Sequence, residues 1–93
     1  MLIGIAKILI LIPSSSSLKE KRMVLRSLKN KLRSSFNISI IELDDHEKWQ
    51  KTTLALATIG TESKQINSLI SHTVNYLENY KHIQLLDYET ELI

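Results

Sequence analysis

The chain holds 93 residues (10.7 kDa), 43% hydrophobic and 24% charged, with a formal net charge of +2, enough for one domain spanning 1–93 and too little for two. Two glycines, one proline and no cysteine exclude collagen, Pro-rich disorder, a disulfide framework, a cysteine zinc site and a thiol nucleophile. A small secreted fold would usually carry disulfides, so the cytoplasm is the expected compartment.

Met1 to Pro13 opens the chain with an almost unbroken apolar run. It does not read as a signal peptide: no basic segment precedes it, Lys7 interrupts it, and no small-x-small cleavage pattern follows. It is too short to span a bilayer. Its Ile and Leu content predicts a buried central strand that Pro13 ends. Ser17-Leu18-Lys19-Glu20 then fits a capping box. Leu18, Leu25, Leu28 and Leu32 share one face at about 100° per residue, which predicts a helix over 17–35. Phe36, Ile38 and Ile40 alternate with Asn37 and Ser39, so a second strand is expected over 36–44. Asp44 to Lys51 reads as a polar turn, Thr52 to Ile59 as a third strand closed by Gly60. Ser63 is placed to cap a second helix with the stripe Ile66, Leu69, Ile70, Val74, Leu77 and Tyr80, and Ile83 to Ile93 completes a fourth strand.

The order βαββαβ favours one solution, the ferredoxin-like split βαβ: an α+β fold with two helices on one face of a four-stranded antiparallel sheet. Right-handed crossovers and a hairpin between the second and third strands give the order 4-1-3-2. The Ser14–Ser17 loop, the start of the first helix, the Asp44–Lys51 turn and the Tyr80–His82 connection then meet at one end.

Charge is segregated along the chain. Residues 17–35 hold seven basic side chains against Glu20, whereas residues 36–93 hold four basic against nine acidic ones. On a helical wheel Lys19, Arg22, Arg26, Lys29 and Arg33 fall within about 80° of one another and form a ridge beside the leucine face. Such a ridge is either a solvated helix face or a contact for nucleic acid or another polyanion. The sheet itself is a poor RNA platform. Stacking on this topology requires aromatic residues on the two central strands, and neither Leu2–Ile12 nor Thr52–Ile59 has one. The open face of the fourth strand is expected to show Asp87, Glu89 and Glu91, which repel phosphate and offer Lys7 a cross-strand partner.

In the hairpin turn, Asp45, His46 and Glu47 are metal-capable side chains, but one short turn without a second ligand set makes a poor site, and no metal is expected. An ion-pair clasp with Lys19, Lys21 and Arg22 suits these carboxylates better. Trp49, the lone tryptophan, reads as a lid over the first helix or, with His46, as a partner anchor. Catalysis has little support. There is no glycine-rich phosphate loop and no nucleophile–base motif, and His46, His72 and His82 are scattered. Acylphosphatases of this fold need an arginine in the loop after the first strand; Pro13-Ser14-Ser15-Ser16-Ser17 has none, though its hydroxyls and the helix N-terminus are placed to hold an anion. A binding protein without catalytic residues or cofactors is expected.

Ile12-Pro13, Ser17-Leu18-Lys19-Glu20-Lys21-Arg22, Phe36-Asn37-Ile38-Ser39, Asp45-His46 with Trp49-Gln50, and Leu86-Asp87-Tyr88-Glu89 together resemble the bacterial YlxP-like family, a domain-of-unknown-function family, almost end to end. The SLKEKR and DHxxWQ pieces are distinctive in combination. Leu9 and Leu11 depart from the family, whose members often place polar residues there. The resemblance implies a ferredoxin-like fold, no established enzymatic activity, and, since members are commonly encoded near translation and ribosome-maturation factors, a role around RNA or the ribosome.

Three functions follow as expectations. The first is a non-catalytic RNA- or ribosome-associated protein that uses the ridge. The second is a homodimeric interaction module, and the third a small-ligand sensor. A homodimer through the open sheet face is expected, its rival being a register one residue out that would turn the same side chains into the core. Lys7 marks the odd-numbered residues of the first strand as that face, which puts Ile3, Ile5, Leu9 and Leu11 there. Leu54 and Leu56 are expected to continue the patch, on the reading that Ala55 and Ala57 suit close packing beneath the helices.

Overall fold

The computed structural model describes residues 1–13, 17–43 and 50–93. They form β1 (Leu2–Leu11), α1 (Leu18–Ser35), β2 (Ser39–Glu42), β3 (Lys51–Gly60), α2 (Ser63–Glu78) and β4 (Gln84–Leu92). The four strands make one antiparallel sheet in the order β2-β3-β1-β4, the predicted order read from the other edge. Both helices cover the same face. Ala6, Ile8, Ile10 and Ile12, the even set of β1, are fully buried against Leu25, Leu28 and Leu32 of α1 and Ile66, Ile70, Val74 and Leu77 of α2.

Local chemistry accounts for most boundaries. Ser17 caps α1, its hydroxyl oxygen accepting the Glu20 backbone N–H at 3.1 Å. Proline at 13 ends the apolar run, and the Ile12 N–H still reaches the Gln50 carbonyl at 2.6 Å, so the first loop and the hairpin do converge. Two boundaries differ from expectation. Strand β2 is only Ser39–Glu42, because Phe36 caps the end of α1 and packs edge-on against Tyr76 of α2, 5.8 Å between ring centroids, instead of entering the ladder. Helix α2 begins at Ser63 with Glu62 as its N-cap and no side-chain capping bond, so Ser63 is the first helical residue and not the cap.

Register decides which side chains face the helices. In β1–β3, Ile8 stands opposite Leu54, Ala6 opposite Leu56, Lys7 opposite Ala55 and Ile5 opposite Ala57. Directly paired residues of an antiparallel sheet point to the same face. Leu54 and Leu56 are therefore core residues, 0% and 2% exposed, and the alanines lie on the open face. This corrects the assignment of the two leucines to the dimer patch. The alternation of large and small side chains was read with the wrong parity. On the same face, Ile5 opposes Glu91, Lys7 opposes Glu89 and Leu9 opposes Asp87, as expected. A β-bulge at Leu86 lies just beyond, where pairing steps from Leu9–Asp87 to Ile10–Leu85.

Candidate functional site

Helix α1 buries Leu25, Leu28 and Leu32, and this stripe fixes the direction of every other side chain on it. Lys19, Arg22, Arg26 and Arg33 are exposed and Lys29 is half-buried, all on one flank. The Arg33 guanidinium identifies that flank, because it donates to the Ile40 carbonyl of β2 at 3.0 Å. Since β2 is a sheet edge, the ridge overhangs the edge strand, and Arg33 satisfies one of its carbonyls. The other sheet edge, β4, carries Asp87, Glu89 and Glu91 on the open face. Cations and carboxylates that are separated in sequence thus end at opposite edges of the sheet.

The other flank of α1 meets α2 and holds a feature that the sequence reading missed. Lys31 Nζ lies 3.4 Å from the Tyr80 hydroxyl and 5.2 Å from its ring centroid, so the ammonium sits towards the hydroxyl end of the ring. Tyr80 belongs to a row that runs Phe36, Tyr76, Tyr80, His82, with successive centroids 5.8, 6.0 and 6.3 Å apart. An open groove of about 520 Å3 lies along this row, lined by Lys31, Asn75, Tyr76, Asn79, Tyr80, Lys81 and His82. The available signal was the i,i+4 spacing of Tyr76 and Tyr80 with Lys81 and His82 following. It was absorbed into the core stripe of α2.

Lys21 is the second surprise. Although charged, it is 2% exposed and lies beneath the leucine face, with its Nζ 3.7 Å from Glu42 Oε1. The hydroxyl of Thr52, itself buried, donates to the same oxygen at 3.3 Å. Glu42, at the end of β2, is a partner the sequence reading did not name; the clasp expected between Lys21 and Asp45 or Glu47 falls on carboxylates outside the described residues. The proposed anchors Trp49 and His46, the carboxylates of the turn, and Ser14 to Ser16 lie outside the described residues.

Among the described residues no helix is long and apolar enough to cross a membrane. Over 90 residues the chain is 28% identical to the uncharacterized protein YlxP of Bacillus subtilis (strain 168), an alignment that covers 97% of this chain and 98% of that one. Its residues 3–90 match the family model described as protein of unknown function (DUF503). The match spans the basic helix, both sheet edges and the aromatic seam together, and on this ground the chain belongs to the DUF503 family.

Proposed function

We propose that the protein is a non-catalytic binding protein for single-stranded RNA, free or within a ribosomal particle, and that Lys19, Arg22, Arg26, Lys29 and Arg33 contact its phosphates. The observation that carries this reading is the one-sided placement of those five cations over the β2 edge, with the acidic row at the far edge of the sheet. Five like charges on one flank repel one another, and a polyanion laid along them relieves that repulsion. The groove beside Tyr80 favours the same ligand, because tyrosine faces rimmed by lysines stack unpaired bases without regard to sequence. Binding through the open sheet face is disfavoured by Asp87, Glu89 and Glu91.

Fluorescence anisotropy with a labelled single-stranded RNA, repeated across a salt series, tests the reading. Five phosphate contacts give a log–log slope of about −3.5, and the Arg26→Ala/Lys29→Ala double variant flattens it by about 1.4. The leucine face is untouched, so the variant keeps the wild-type melting temperature. Absence of RNA affinity at low salt, or an unchanged slope in the variant, leaves the ridge as a solubilising face. Salt-washed particles from cell extracts test the ribosomal setting, since the protein should leave them as ionic strength rises.

A further inference from the structure

We propose that the open face of the sheet is the interface of a two-fold homodimer. Among the described residues no layer covers this face. Ile3, Ile5, Leu9 and Leu11 are half-exposed on β1, flanked by Ile59 of β3 at 66% and Ile41 of β2 at 58% exposure. Strands of nine or ten residues, spaced by about 4.8 Å, give the whole open face, aliphatic residues and acidic row together, a patch of roughly 500–600 Å2, at the upper end of what a soluble monomer leaves uncovered. Two such patches bury about 1,000–1,200 Å2 together, the lower bound of a specific interface.

The occupant follows from shape and charge. The odd residues of β1 form a raised row, while Thr53, Ala55 and Ala57 beside it on β3 form a low one. A two-fold axis parallel to the strands, between β1 and β3, lays the raised row of each protomer on the low row of the other. The Lys7 stem then crosses the partner's Ala55, and Ile5 the partner's Ala57. The same axis brings the acidic β4 edge of one protomer alongside the β2 edge of the other, which shows the uncharged Ser39 and Ile41 on this face. An axis across the strands would instead stack acidic row on acidic row. A second copy thus covers the aliphatic residues on either side of Lys7 while the two acidic rows stay apart. Phosphate polymers and anionic lipid surfaces are repelled by Asp87, Glu89 and Glu91 on the same face.

This inference stands apart from the RNA reading and is tested without RNA. Sedimentation equilibrium on the wild type should show a dimer. Leu9→Glu and Ile59→Glu should each raise the dissociation constant at least tenfold, with circular dichroism reporting native secondary structure. Ile59 is solvent-exposed in the single chain, so its variant folds whether or not Leu9→Glu does. A wild type that stays monomeric up to about 100 µM overturns the proposal. So does a dimer that Ile59→Glu, or a folded Leu9→Glu, leaves intact.

Discussion

Lys21 shows what a single side chain does at the closed end of this fold. Its ammonium has left water, and Glu42 at 3.7 Å is a reason it can. Removing one member of a buried ion pair costs about 3–5 kcal/mol, because the other charge stays behind. Glu42 keeps 17% of its side-chain surface in water, which lowers the expected loss for Lys21→Ala to about 2–3 kcal/mol. Lys21→Met restores the stem's packing but not the charge, and the Lys21→Met/Glu42→Gln pair should recover much of the stability. Urea midpoints across this double-mutant cycle measure the coupling, and strictly additive losses would show that the pair contributes nothing. Arg33 has a different economy. Its guanidinium already serves the Ile40 carbonyl, so Arg33→Ala should lower stability and RNA affinity together, whereas Arg26→Ala lowers affinity alone.

At the scale of elements, the tightest fit is between β1 and α2. A Cβ on Gly4 would run into Cγ2 of Ile66 and come within 3.1 Å of Ile70 Cδ1, both on the face of α2 that seals the core. The position demands a missing side chain, not an unusual backbone. Gly4→Ala should therefore push α2 off the sheet and cost about 1–3 kcal/mol, seen as a lowered melting temperature. Ile66→Leu moves the branch off Cβ and removes Cγ2, so the Gly4→Ala/Ile66→Leu pair should recover part of it. The seam between the helices is looser by contrast. Tyr76 and Tyr80 meet at 37° rather than stacked, and the groove beside them stays open. Much of the element plan was legible beforehand, since a period of 3.6 marks α1 and α2 and a polar loop separates β2 from β3. The start of β2 was not, because Phe36 has the alternation of a strand residue and a tertiary partner, Tyr76, that takes it elsewhere.

The whole molecule is polarised from edge to edge, and the two proposals use different parts of that polarity. The ridge lies on the flank of α1, on the helix side, while the dimer contact is the opposite face of the sheet. One dimer would therefore carry two ridges, both free for ligand. A strand long enough to reach both should bind the dimer more tightly than a short one by avidity, about 10²-fold for well-matched spacing. A dimer-breaking Ile59→Glu variant should lose that gain on long RNA and keep wild-type affinity for a strand that covers one ridge. Anisotropy with two RNA lengths reads the difference, and equal losses on both would separate the dimer from RNA binding.

By itself the sequence determined the elements, the strand order, the inward set on β1 and the ridge on α1, because each follows from local periodicity or from a chirality rule. Lys7 made β1 readable, since one charge in an aliphatic strand marks the face that water reaches. Strand β3 has no such mark between Leu54 and Ala57, and its parity was settled by hydrogen-bonded register with β1, a contact between residues more than forty positions apart. The same holds for the site. Helical spacing grouped Lys19, Arg22, Arg26, Lys29 and Arg33, but only the packing of α1 beside β2 assigned their flank to a sheet edge and set Lys31 against Tyr80 on the other. Lys21 shares the helical stripe of Leu18, Leu25, Leu28 and Leu32, so its inward direction lay in the spacing, and what only the tertiary structure decided is the carboxylate of Glu42, from another element, beside its ammonium.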